Sequence, residues 1–259
     1  MSFKRGERSS LPVRLRIVDA SKEHLSSDPE RKDRICRKII EYGLLTLLVF
    51  SPLPAASVHD WSILVIQLGA LFLTATYFLM SRPPQINPKL SRQLRWPKYL
   101  FGGLSFFLII QIIPLPKAVV KILSPGTFSL LHQFSPRFAE MKFMSLSLVP
   151  SHTLRESLEL LSYLLIGFLV VKNITRRRQI KRMMAVLVAT GVFEAFYGLF
   201  ELYHKNPRIL FYKKTYSLDS VTGTFINRNH FSGYLELIIP LAISLIISRI
   251  DLFSLSGMK

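Results

Sequence analysis

The chain carries a single cysteine, Cys36, among its 259 residues. It cannot form an internal disulfide, and its spacing to the six histidines matches no zinc pattern, so no metal site is expected. Acidic residues are also scarce, with 16 Asp/Glu set against 34 Lys/Arg and a net charge of +18. Such a charge can serve nucleic acid, but no recognisable binding motif accompanies it, so no nucleic-acid partner is expected. What the chain has in quantity is apolar sequence, 49% of residues, in long runs alternating with short basic ones. That alternation excludes an ordinary soluble domain and points to an integral membrane protein.

Residues 1–38 are polar and mixed in charge, with no periodic apolar face, and are expected as a flexible, basic cytoplasmic arm. Six apolar runs follow, at about 39–56, 61–80, 99–113, 154–171, 183–203 and 231–248. The first is weak: Pro52 and Pro54 interrupt it, and Glu41 lies near its inner end. A signal peptide competes for this run, because Pro-Ala-Ala-Ser follows, but the preceding basic region would be unusually long. The second run has twenty uncharged residues from Trp61 to Met80, and at about 1.5 Å per residue it just crosses a hydrocarbon core of about 30 Å. The expected fold class is therefore an all-α, polytopic membrane bundle of about six helices. A short tail, 249–259, closes it, and the longest connection, 114–152, contains an amphipathic helix starting after Ser124-Pro125-Gly126-Thr127.

Charge placement gives the orientation. With the N-terminus inside, 24 of the 34 Lys/Arg fall in inner segments (1–38, 81–98, 172–182, 249–259) and 9 in outer ones, while Arg155 lies within the fourth run. Cations gather on the cytoplasmic side, so both termini are expected inside. The expected location is a membrane that the chain crosses several times.

One string stands apart: Gly223-Thr224-Phe225-Ile226-Asn227-Arg228-Asn229-His230-Phe231-Ser232-Gly233-Tyr234-Leu235. Thr224, Asn227 and Asn229 are N-cap residue types, placed where the sixth helix begins. A helix start leaves backbone N–H groups unpaired and carries about half a positive charge, to which Arg228 and His230 add. Two readings stand: an anion-binding site at headgroup depth, or a capped helix start with a snorkelling arginine.

Acids inside the apolar runs are the next candidates, because a carboxylate in hydrocarbon costs about 2.5–3.5 kcal/mol on insertion scales and normally faces the bundle interior. Glu194 and Glu201, seven residues apart, share one helix face with Gly191, Ala195 and Gly198, a small-residue surface suited to close helix approach. Glu236 lies two turns inside the sixth run. Each is either an acceptor for a polar ligand or a paired structural acid. His152–Glu156 and Arg155–Glu159 have i,i+4 spacing and are expected as local pairs. His59 beside Asp60 and His230 could move a proton or simply hydrogen-bond at the surface. Asn173-Ile174-Thr175 fits a glycosylation sequon but falls on the inner side.

The 223–235 string resembles the G-T-F-x-N-x-N-H-F-x-G-Y-L stretch of the O-antigen ligase and polymerase superfamily. Weaker similarity covers Phe50 to Trp61, Gly191 to Gly198, and Glu236 through Leu241. The resemblance implies a bacterial membrane glycosyltransferase or ligase of cell-surface polysaccharide assembly, acting on glycan linked to undecaprenyl diphosphate, with no cofactor or metal. It implies substrate contacts at Thr224, Asn227, Arg228, Asn229 and His230, with Arg228 neutralising leaving-group charge. Members of the superfamily continue into further spans and a large outer loop with an essential arginine and histidine. The chain ends at Lys259 ahead of such a loop, so no catalytic residue is assigned. The expectation is donor binding without transfer unless a C-terminal half or partner supplies the rest. A non-catalytic module or split subunit, and a small transporter, remain as alternative readings; the transporter lacks a visible internal repeat.

Overall fold

The computed structural model describes residues 13–84, 92, 95–204, 208–210, 212–214 and 218–249. Its helices are α1 (Val13–Phe50), α2 (Asp60–Phe78), α3 (Arg95–Ile112), α4 (Lys117–Leu123), α5 (Pro125–Phe134), α6 (Pro150–Asn173), α7 (Arg177–Tyr203) and α8 (Arg228–Arg249). Two antiparallel pairs of two-residue strands complete the described residues: β1 (Leu115–Pro116) with β2 (Phe143–Met144), and β3 (Arg208–Ile209) with β4 (Tyr212–Lys213).

Three helices are long and apolar enough to cross a membrane: Asp60–Phe78, Arg177–Tyr203 and Arg228–Ile247. The other expected spans fall short of that measure for local reasons. From Ile39 to Phe50 the first run offers about 18 Å of helix at about 1.5 Å per residue before Pro52 ends it. Tyr99–Ile112 is a shorter apolar helix, and α6 carries Arg155, Glu156 and Glu159 in its N-terminal half. The arm expected to be flexible departs further from the structure. From Val13 it is helical and continuous with the first run, through Pro29, in one 38-residue helix. A charged sequence without an apolar face can extend a helix whose packed end already supplies the nucleus. Residues 1–12, the middle of the 81–98 linker with Pro88 and Lys89, Lys205 and the tail from Ile250 lie outside the described residues.

The bundle is built on α1. Cys36, Ile40 and Leu44 form a buried cluster with Leu73, Tyr77 and Met80 from α2 and its end, and with Leu169 of α6. Glycines let α1 and α2 approach: a Cβ on Gly43 would lie 2.5 Å from Leu73, and one on Gly69 would lie 2.9 Å from Leu47. Such small-residue notches replace the hydrophobic drive that lipid does not provide. Outside these contacts the helices display Leu68, Phe72, Phe106, Leu237 and Ile243, each more than half exposed. An apolar exterior of this extent suits lipid contact.

Polar contacts mark the two ends of the bundle. At one end Asp33 accepts hydrogen bonds from the Ser81 and Arg82 amides, both 2.9 Å, and Glu41 accepts from Arg182 and Gln179, both 2.8 Å. Asn173 of the sequon is buried here and donates to the Arg37 carbonyl at 3.1 Å. At the opposite end His152 pairs with Glu156 at 3.9 Å, as its spacing predicts. Arg155 instead pairs with Asp60 at the start of α2, and Glu159 accepts from Tyr163. The basic segments 172–182 and 81–84 thus share one end, and the 223–230 string lies at the other.

Candidate functional site at the start of the last helix

The site begins with two glycines and an acid on one face of α7. Gly191, Glu194 and Gly198 recur at three- and four-residue intervals, which in a helix places them in a column. α8 packs on that column: a Cβ on Gly191 would lie 2.7 Å from Ile238. The segment before α8 presses closer still, since a Cβ on Gly198 would lie 2.6 Å from the Gly223 nitrogen and 2.7 Å from Val221. Gly223 itself has φ +55°, the left-handed region that favours glycine.

This approach delivers Thr224 to Glu194, and both residues are 0% exposed. The Thr224 amide donates to Glu194 Oε2 at 2.8 Å. The Thr224 hydroxyl lies 2.8 Å from Glu194 Oε1 and 2.7 Å from the carbonyl of Pro52, in the turn between α1 and α2. A hydroxyl has one proton, and a carbonyl can only accept. All three contacts are hydrogen bonds when Glu194 Oε1 carries a proton and donates to Thr224, which in turn donates to Pro52. The result is a buried clasp joining the α1–α2 turn, α7 and the loop leading into α8.

A second mooring lies one to two turns further out on α7. Glu201 Oε1 accepts the Arg208 amide at 2.8 Å, and the Tyr197 hydroxyl accepts the Leu210 amide at 2.9 Å while lying 2.9 Å from the Arg208 carbonyl. These bonds seat the β3–β4 hairpin against α7. The His59 ring stacks obliquely on Tyr212 with centroids 5.1 Å apart, tying the hairpin to the α1–α2 turn. Backbone strain is concentrated in the same place. Ala55, Ala56 and Ser57 have φ of 53°, 55° and 55°, and Leu210 has 51°. Left-handed non-glycine residues cost about 1–2 kcal/mol each and persist where surrounding contacts hold them.

The two moorings leave four consecutive polar residues outside. Asn227, Arg228, Asn229 and His230 are all exposed at the start of α8, while Phe225 and Phe231 on either side are buried. Asn227 caps the helix: its Oδ1 accepts the Asn229 amide at 2.9 Å. Arg208 and Lys213 add exposed cations at the same end of the bundle. Lys214 does not: it is 6% exposed and donates to the Ser220 carbonyl at 3.1 Å. Burial pushes its ammonium below the ordinary lysine value, and the Glu201 carboxylate partly offsets this.

No family model, curated protein or solved structure matches the chain.

Of the residues singled out in the sequence, Asn227, Arg228, Asn229 and His230 are brought together on one exposed ledge. Thr224 belongs to the same string but faces inward, so its place is beneath the ledge as a positioning residue. Glu194 is engaged on both oxygens by Thr224. Glu236 is exposed on α8 and makes no part of the clasp. His59 joins Tyr212 rather than His230. Sequence reasoning did not single out Tyr197 or Lys214. Tyr197 carries one local signal, its i,i+4 spacing to Glu201, whereas Lys214 resembles any surface cation until the hairpin buries it.

Proposed function

We propose that the chain acts in cell-surface polysaccharide assembly, holding undecaprenyl-diphosphate-linked glycan at the end of the bundle that carries the 223–230 string. In this reading the bundle has six spans and both termini in the cytoplasm of a bacterial inner membrane. The observation that carries the proposal is the buried Glu194–Thr224–Pro52 clasp directly beneath the exposed ledge 227–230. Glu194 and Thr224 are used up inside, so the ledge is held without any of its own cationic side chains being spent on the fold. A preorganised set of donors beside an apolar helix suits an amphiphile with an anionic head. Arg228 and the first amides of α8 meet the diphosphate, His230 and the amide nitrogens of Asn227 and Asn229 orient it or the first sugar, and the polyprenyl tail lies along the apolar flank. The chemistry served is attack by an acceptor hydroxyl on the anomeric carbon, with the diphosphate as leaving group.

Purified full-length protein is expected to bind undecaprenyl diphosphate more tightly than undecaprenol. Arg228→Ala should remove most of that preference, since a charge-assisted hydrogen bond is worth roughly 1.5–3 kcal/mol, about ten- to a hundred-fold in affinity. Equal affinities of the wild type and Arg228→Ala for the diphosphate would sink the proposal and leave the string as a helix start.

Orientation has its own test. In a Cys36→Ser background, a cysteine replacing Arg208 should react with a membrane-impermeant thiol reagent on intact cells whose outer membrane is permeabilised, and one replacing Arg177 should not. The reverse pattern would place the ledge on the cytoplasmic side, away from any periplasmic glycan.

A further inference from the structure

Beside the ledge lies a cavity of about 220 Å³, walled by Ala55 and His59 of the α1–α2 turn, Ile209, Tyr212 and Lys214 of the hairpin, and Ile226. Lys213 and Tyr212 are exposed at its rim, whereas Ala55, Ile209 and Lys214 are buried at its depth. Resting on the proposed function, we infer that this cavity is an oxyanion subsite in which the Lys214 ammonium receives a phosphate group of the lipid-linked donor.

Three observations converge. An ammonium has three N–H donors, and among the described residues Lys214 has one hydrogen-bond partner, the Ser220 carbonyl. A cation taken out of water this far requires further partners, and an anion provides the strongest ones. The size selects a small group: at about 30 Å³ per water molecule the cavity holds the equivalent of about seven waters. That is below the roughly 300 Å³ at which drug-sized ligands begin to fit, so a phosphate enters but a glycan chain does not. The left-handed residue Ala55 lines the cavity, and Leu210, also left-handed, directly follows the lining residue Ile209; strain of this kind gathers at ligand clamps. Ile226, which completes the wall, directly precedes Asn227 and Arg228. Cavity and ledge are therefore consecutive along the chain and take neighbouring parts of one anionic head.

The test uses the full chain in lipid nanodiscs, with undecaprenyl diphosphate and undecaprenol as probes and inorganic pyrophosphate as competitor. Lys214→Met keeps the apolar stem and should weaken diphosphate binding by about ten-fold or more, whereas Arg137→Gln, at an exposed cation between α5 and β2 that does not line the cavity, should leave it nearly unchanged. Ile226→Trp fills the cavity with the charge retained and should also weaken binding, which decides the matter if Lys214→Met does not fold. Displacement by pyrophosphate assigns the subsite to the anion in any form, and failure to displace assigns it to lipid-borne phosphate; both support the inference. If the wild type prefers the diphosphate but Lys214→Met and Ile226→Trp bind as well as it does, or Arg137→Gln is equally damaging, the subsite is overturned while the ledge stands. If the wild type does not distinguish diphosphate from undecaprenol, both readings fall together.

Discussion

Replacing Gly198 by alanine is expected to unseat the loop that carries the 223–230 string and to destabilise the chain by about 3 kcal/mol or more, the upper end of the usual cost of overpacking. The added Cβ would lie 2.6 Å from the nitrogen and 3.1 Å from the Cα of Gly223. Those are backbone atoms, already fixed by a positive φ and by the neighbouring Thr224 clasp, so neither can swing aside. Gly191→Ala is a milder change because its near neighbours are side-chain atoms of Ile238, at 2.7 and 3.1 Å, which can shift. Gly102→Ala and Gly103→Ala in α3 meet nothing within 4 Å and should be neutral or stabilising, by up to about 1 kcal/mol of helix propensity. Unfolding midpoints in one detergent would rank the four, and a Gly198→Ala midpoint no lower than that of Gly102→Ala would show that the loop is not seated on α7 as described.

Glu194 gives the second large effect, and it depends on the replacement. Glu194→Ala strands the buried amide of Thr224, at about 1–3 kcal/mol, removes one of the two partners of its hydroxyl, and opens a cavity besides. Glu194→Gln should be close to wild type. The glutamine carbonyl accepts the Thr224 amide, and its NH₂ donates to the Thr224 hydroxyl in the place of the acid proton, so the bond to Pro52 survives. Binding of undecaprenyl diphosphate should follow the same order, with glutamine retaining it and alanine losing most of it. A glutamine variant as damaged as the alanine variant would mean that Glu194 is held ionised and that the proton count in the clasp is wrong.

Local pattern revealed much of the architecture. The run 61–80 is α2 (Asp60–Phe78), 183–203 lies within α7, and 231–248 lies within α8, because an uninterrupted apolar stretch of that length has one efficient backbone form in lipid. The amphipathic helix expected after Thr127 is α5, which starts three residues earlier than expected, with Pro125 at its first position. Gly191, Glu194 and Gly198 could be placed on one face from spacing alone. What lay on that face could not, since Glu194 is 30 residues from Thr224, and Pro52 is 172 residues from it. Long-range pairing of this kind leaves no periodic trace. Thr224 therefore resembled its neighbours Asn227 and Asn229, a polar residue near a helix start, although it points into the bundle and they point out. The helical course of the arm was hidden for a different reason: its charge and Pro29 argue against a free helix, and continuity with the packed end of α1 overrides them.

Contact between the ledge and a lipid-linked diphosphate is the claim on which the account depends, and photo-crosslinking examines it directly. Membranes containing the full chain would be illuminated with an undecaprenyl diphosphate analogue bearing a photoreactive group at its diphosphate end, and the adduct would be mapped by peptide sequencing. The expected result is a dominant adduct within residues 226–232, suppressed by unlabelled undecaprenyl diphosphate and not by undecaprenol. Adducts spread along the apolar flanks of α3 and α8, with no competition by the diphosphate, would contradict it.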